Sequence, residues 1–168
     1  MNALTKTGLT LGLLLVSSVA KADQSAVSMI NELLRGELSA VETYQQAIKK
    51  VGPAEGSTDL QQMHSDHMDA VAKLQAEVMK EGGKPSTDSG AWGTWAKAVE
   101  GSAKVLGDTA ALKALKEGEQ HGVKEYQELL ENKNTPADVK DLVRTTLLPK
   151  QQEHIQTLDR LMKMDSKS

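Results

Sequence analysis

The chain has 168 residues, 39% of them hydrophobic, with no Phe or Cys, two Tyr, two Trp and a formal net charge of −3. This excludes a disulfide scaffold and an aromatic β core, and leaves Leu, Val, Ile, Met and Ala, a palette that suits helices. Charges are mixed in sign with no basic block, which excludes a nucleic-acid-binding surface, and only four Pro interrupt the chain, which allows long helices.

Residues 1–22 stand apart. A short start with one Lys and no acid leads into "GLTLGLLLVSSVA", an apolar run too short to span a bilayer comfortably. Ala20 and Ala22 then place small residues where a signal peptidase reads. The expectation is a signal peptide over 1–22, cleaved after Ala22, and a periplasmic or secreted product with no stable membrane span. An uncleaved anchor or a buried helix is the alternative. The remaining domain, 23–168, loses Lys6 and Lys21 and carries 18 − 23 = −5.

Four helices follow from apolar residues recurring in steps of three and four. The first spans about Gln24 to Val51, with Ile30, Leu34, Val41, Tyr44, Ile48 and Val51 in line, and breaks at Gly52, Pro53 and Gly56. The second spans about Ser57 to Glu81 and stops at Gly82 and Gly83 before Pro85. These make one hairpin, 24–83. The stretch 84–108 reads as a long crossover holding a short helix, about Ala91 to Leu106, with Trp92 and Trp95 capping one end of the core. The third helix spans about Thr109 to Asn132. The fourth spans about Ala137 to Met164, with Thr135 as N-cap, Pro136 at the first helical position and Pro149 disturbing the ladder near Thr145. They make a second hairpin, 109–164. The fold class is therefore all-α: a four-helix bundle of two hairpins joined by one crossover.

One ten-residue phrase occurs twice, "GELSAVETYQ" from Gly36 and "GEQHGVKEYQ" from Gly118, once in the first helix of each hairpin. Along each apolar seam, polar residues interrupt the pattern. Glu37 interrupts the first seam, His64 and His67 the second, Glu119 the third, and Gln151 and His154 the fourth. A buried carboxylate costs several kcal/mol unless it is paired or bound to a cation. The i, i+3 spacing of His64 with His67, and of Gln151 with His154, sets each pair on one helix face. Inward Glu on two helices and paired i, i+3 residues on the other two is how bundles build metal sites. Mid-helix Gly36 and Gly118 predict close approach of helices one and three. Tyr44 and Tyr126, two turns past their Glu, read as core residues with satisfied hydroxyls. Asp66, Glu42 and Glu153 read as solvated charges, His121 as a surface residue beside Glu117 or Glu125, and the Met residues as core filling.

Gly-Glu with Tyr seven residues past the Glu resembles helices one and three of the ferritin-like superfamily, rubrerythrins especially. From about Ser28 to Met162 the chain also resembles a bacterial ferritin-like family of unknown function, whose members carry segments like Ala91–Thr94 and Gly118–Tyr126. The resemblance implies a carboxylate-bridged di-iron site, with Glu on helices one and three and Glu-x-x-His on helices two and four. Glu37, His67, Glu119 and His154 match that pattern. His64 and Gln151 stand where it has Glu.

That departure removes two carboxylates. Glu37 and Glu119 bring −2, so two divalent ions would leave about +2 uncompensated in a low-dielectric core. The expectation is one divalent ion at Glu37, His64, His67, Glu119 and His154, with Gln151 as a weak ligand or a donor behind the ligands. Fe, Zn, Mn and Cu are not distinguished, and a homodimer is permitted. By analogy with the superfamily, oxidase, peroxidase or metal-handling activity would follow. The competing reading is a metal-free binding or stress-related module in which Glu37 pairs with His67 and Glu119 with His154. No phosphate loop, nucleophile elbow or Cys-based site is present.

Overall fold

The computed structural model describes residues 24–51, 57–93 and 108–165. The expected signal peptide, the break at 52–56, Trp95 and all but the start of the crossover helix lie outside the described residues. The described chain forms α1 (Gln24–Val51), α2 (Ser57–Lys80), a 3₁₀ turn (Gly90–Trp92), α3 (Asp108–Glu131), α4 (Ala137–Leu142), a π-helical segment (Val143–Leu147) and α5 (Leu148–Asp165). The last three run on as one rod, so the bundle has four rods, and no strand occurs among the described residues.

Contacts across the bundle fix the directions. Tyr44 of α1 meets Glu119 of α3, and Tyr126 meets Glu37, so α1 and α3 are antiparallel. Asp59 bonds Arg160 while Lys80 bonds Asp138, so α2 runs antiparallel to the fourth rod. Lys116 bonds Asp159 between α3 and α5, which are likewise antiparallel. The rods therefore run up, down, down, up, so α3 begins at the opposite end of the bundle from where α2 stops.

The described chain that leaves α2 is strapped to α1. α2 closes in a Schellman arrangement, with Gly83 N–H donating to Val78 O at 2.9 Å, Gly82 N–H to Met79 O at 3.0 Å, and Gly82 at φ +74°. Asn31 then takes the chain with both ends of its amide. Its Nδ2 donates to Lys84 O at 3.1 Å, and its Oδ1 accepts from Ser86 N–H at 2.7 Å. Ser39 Oγ donates to Trp92 O at 2.8 Å, and Trp92 Nε1 donates to Glu32 at 3.0 Å. Trp92 thus lies on the flank of the bundle, packed against His121 of α3 with the rings tilted 50° and 4.6 Å between centroids, and not at an end of the core as expected.

Two sequence details resolve differently at the fourth rod. Thr135 does not cap it. Its hydroxyl donates to Leu129 O at 2.9 Å, satisfying a carbonyl at the end of α3, and Pro136 occupies the N-cap position. Pro149 has no N–H to give Thr145 O, and its ring would crowd that carbonyl. The helix widens to π geometry over Val143–Leu147, centred on Thr145, whose hydroxyl donates to Asp141 O at 2.6 Å.

The apolar core is in two parts. One gathers Val27, Ile30, Leu34, Leu74, Val78, Val139, Val143 and Leu147, with Tyr126 at its border. The other gathers Tyr44, Leu60, Met63, Leu112, Leu115, Leu158 and Leu161. Only Met63 among the described methionines is buried, and Met68 and Met79 are exposed, so core filling does not describe the set. Between the two parts sits a polar layer: Glu37, His67, Glu119, Gln151 and His154, each buried.

Candidate metal centre

Each member of the layer is placed by its helix seam, as the step of three and four requires. Glu119 is the hub. Its Oε1 accepts from the Tyr44 hydroxyl at 2.6 Å, lies 3.0 Å from His67 Nε2 and is 3.4 Å from His154 Nδ1. Its Oε2 is buried with no hydrogen-bond partner. At 3.4 Å, His154 Nδ1 is within ion-pair range but makes no aligned hydrogen bond, and it too is buried without a partner.

Both imidazoles are held from behind by an acid. His67 Nδ1 lies 2.7 Å from Glu37 Oε2, and His154 Nε2 lies 3.2 Å from Asp66 Oδ2. With each far nitrogen occupied, the other nitrogen of each ring faces Glu119. One ligand atom each from His67, Glu119 and His154 falls within 4.8 Å of the others, and this is the one such buried group among the described residues. A carboxylate behind a histidine, fixing tautomer and ring direction, is the usual surrounding of a metal-ligating imidazole.

The other expected ligands stand outside that point. Glu37 is beyond the His67 ring, its second oxygen taken by the Tyr126 hydroxyl. His64 sits one turn earlier on α2, about 4.5 Å along the axis, half-buried with an unpartnered Nε2. Burial, then the positive charge of His67, holds its pKa below the ordinary value. Gln151 is buried against Gly122, where a Cβ would meet its Nε2 at 2.1 Å. The missing Cβ at Gly122 is what lets the amide lie there.

Asp66 is the residue the sequence reading misplaced as a solvated charge. Burial alone would raise its pKa, but hydrogen bonds from His154 and Gln62 and the charge of Lys150 bring it below the usual value. A signal existed: Asp59 and Asp66 are two turns apart, on the edge of α2 that faces Arg160 and His154. Glu42 is exposed as expected but accepts from Ser89 at 3.1 Å. Glu153 is exposed and pairs with Lys150.

The electrostatics of the layer are strongly coupled. Burial disfavours a charged His67, yet the carboxylates of Glu119 and Glu37 outweigh it and carry the pKa to about 10. Burial would raise Glu119, but His67 and His154 bring it to about 2. Burial and the same carboxylates push both tyrosine hydroxyls well above their usual value, so both stay protonated donors.

A cavity of about 250 Å³ lies between α1 and α3 and reaches His67 and Glu119. Gly36, Gly118 and Gly122 line it. A Cβ at Gly36 would meet only the Glu125 carboxylate, at 3.3 Å. The glycines therefore open a space beside the layer, where the sequence pattern had suggested touching backbones. Trp92, His121 and Glu125 also line this cavity. Burial, then Glu32, Glu128 and Glu37, pushes the Glu125 carboxyl up to about 7.

Comparison with known families bears on the first three rods. The family model described as a domain of unknown function, DUF2383, matches residues 25–132. The chain belongs to this family. The DUF2383 match contains Glu37, His64, His67 and Glu119 and ends before the rod that supplies Gln151 and His154. No curated protein and no solved structure matches the chain. No helix among the described residues is long and apolar enough to cross a membrane.

Proposed function

We propose that this DUF2383 protein is an exported, ferritin-like bundle that holds one divalent metal ion in its core. The observation that carries the reading is the convergence of His67, Glu119 and His154, with Glu119 Oε2 and His154 Nδ1 buried and unpartnered. Buried polar atoms without partners are rare and costly. A cation at this point satisfies both. The residues fit: two imidazoles braced by Glu37 and Asp66, one carboxylate held by Tyr44, and no thiolate. That donor set suits Zn, Fe, Mn or Cu(II) over soft ions. Three protein ligands leave coordination positions free, and a bound ion supplies Lewis-acid chemistry to whatever small molecule occupies them. The chain's own part is to orient the ligands and keep Tyr44 as a donor.

A second reading has its own support. His67 bridges Glu37 at 2.7 Å and Glu119 at 3.0 Å, so an imidazolium can satisfy both acids without a metal. Elemental analysis per chain, on protein taken from its native compartment, separates the two. One ion per chain, lost in the Glu37→Ala, Glu119→Ala double variant together with its thermal stabilisation, is expected. Metal-free protein indifferent to every divalent ion would favour the polar layer, and there the double variant is neutral or stabilised because buried charge disappears. Two irons per chain would overturn the single-ion version.

A further inference from the structure

The three converging residues are 2–4% exposed, so an ion must travel to reach them. Two cavities touch the layer from opposite flanks. The one between α1 and α3 holds about 250 Å³ and reaches His67 and Glu119. The other, about 60 Å³, reaches His67 and His154 beside the π-helical segment, where Thr146 and Lys150 line it.

We propose that divalent cations reach the centre through the α1–α3 cavity and not from the π-segment side. The proposal rests on the metal-binding reading and concerns the route alone. Size is the first argument. The larger cavity offers about four times the room of the smaller for a cation that still carries part of its hydration, and stripping that hydration costs heavily. Charge is the second. No Lys or Arg among the described residues lines the α1–α3 cavity, whereas Glu117, Glu125, Glu37 and Glu119 do. The opposite cavity is also lined by acids, Glu37, Asp66 and Asp69, but the Lys150 ammonium stands among them, 3.5 Å from Asp66, and offsets part of their attraction for a cation. An acid-lined cleft with low-dielectric walls concentrates cations and speeds their capture. The glycines are the third. Gly36 on α1 and Gly118 on α3 leave the wall without side chains at those positions, at a helix-propensity cost of up to about 1 kcal/mol each. That cost has a reason if the space between them must stay open.

Uptake kinetics test the route. Metal-free full-length protein is mixed with cobalt(II), and bound cobalt is followed by stopped-flow absorbance and counted at equilibrium. Gly36→Leu, which extends a side chain into the larger cavity, should slow uptake severalfold and still end at the wild-type stoichiometry. Thr146→Leu, which fills the smaller cavity, should leave the rate unchanged. At pH 8, where its carboxyl is mostly ionised, Glu125→Gln should slow uptake at low salt and match wild type at high salt, where the attraction is screened. Should Gly36→Leu fold poorly, the salt-dependent slowing in Glu125→Gln carries the test alone. Wild-type rates in Gly36→Leu and Glu125→Gln, or slowing confined to Thr146→Leu, overturn the route but leave metal binding intact. A wild-type protein that never binds cobalt overturns both.

Discussion

The Tyr44 hydroxyl on α1 donates to the Glu119 carboxylate on α3 at 2.6 Å, and the reciprocal bond joins Tyr126 to Glu37. The twice-written phrase thus exchanges partners: the tyrosine of each occurrence satisfies the acid of the other. A hydrogen bond to a charged group contributes about 1.5–3 kcal/mol. Tyr44→Phe and Tyr126→Phe should each lower unfolding free energy by about that much. Urea titration of the metal-free protein measures it, and a loss within error of zero would contradict the geometry.

The pH profile of the metal-free protein follows from His67 and Glu119. His67 titrates at about 10 in the folded state against 6.5 unperturbed, so its contribution is complete below 6.5 and is lost as pH rises towards 10. Glu119 titrates at about 2 against 4.5, so its contribution is complete above 4.5 and is lost as pH falls towards 2. Stability from this pair should therefore be greatest between 4.5 and 6.5. Unfolding measured at pH 6 and pH 9 should fall by about 2–4 kcal/mol across that interval. A flat profile would show that His67 is not charged between the two acids.

Metal binding and that proton compete for one ring. His67 can ligate through Nε2 only as a neutral imidazole, with Nδ1–H kept on Glu37. Binding at pH 7 should release about one proton per ion. Calorimetry in two buffers of different ionisation enthalpy reads the number directly, and none released would exclude His67 as a ligand.

Asp66 holds His154 from behind, so its removal should act on the ion and not on the fold. Asp66→Asn should weaken metal affinity by about 10–100-fold at unchanged stoichiometry. Because Asp66 is only half-buried, the unfolding midpoint of the metal-free protein should move little. Competition with a chromophoric chelator gives the affinity.

Two glycines should respond in opposite directions to the same added methyl. At Gly36 a Cβ meets only the mobile end of Glu125, so Gly36→Ala should be neutral or stabilise by up to about 1 kcal/mol. At Gly83 it would fall 2.5 Å from a Val27 methyl, on a buried and stiff β-branched side chain. Gly83→Ala should cost about 1–3 kcal/mol. Thermal melts of the two variants side by side make the comparison.

How much of this was legible in the sequence varies with the range of the interaction. The rods were legible because helical periodicity is local: Ile30, Leu34 and Tyr44, or Leu112 and Leu115, mark a face without knowledge of what it packs on. The polar layer was legible for the same reason, since Glu37, His67, Glu119 and His154 interrupt those faces. Pro149 announced a disturbed ladder at Thr145, though not that it would take π form. The division of labour within the layer was not legible. Helical spacing puts His64 and His67 on one face, but which ring turns to Glu119 depends on atoms from three other rods. Asp66 was lost because a charge at the edge of a seam looks solvated until the neighbouring helix is in place. Trp92 was misplaced because the path of the crossover is set by Asn31 and Ser39, polar residues whose partners lie more than fifty positions away.

The reciprocal tyrosine–glutamate bonds also act as a gauge of alignment. Leucine and valine faces tolerate sliding, since one apolar surface accepts another at many offsets. Four directional groups do not: moving one hairpin a single turn along the other would part both hydroxyls from their acids at once. Either hairpin made alone would hold an acid with no hydroxyl to meet it. The layer therefore sets the longitudinal offset at which the two halves lock, whether or not an ion is present.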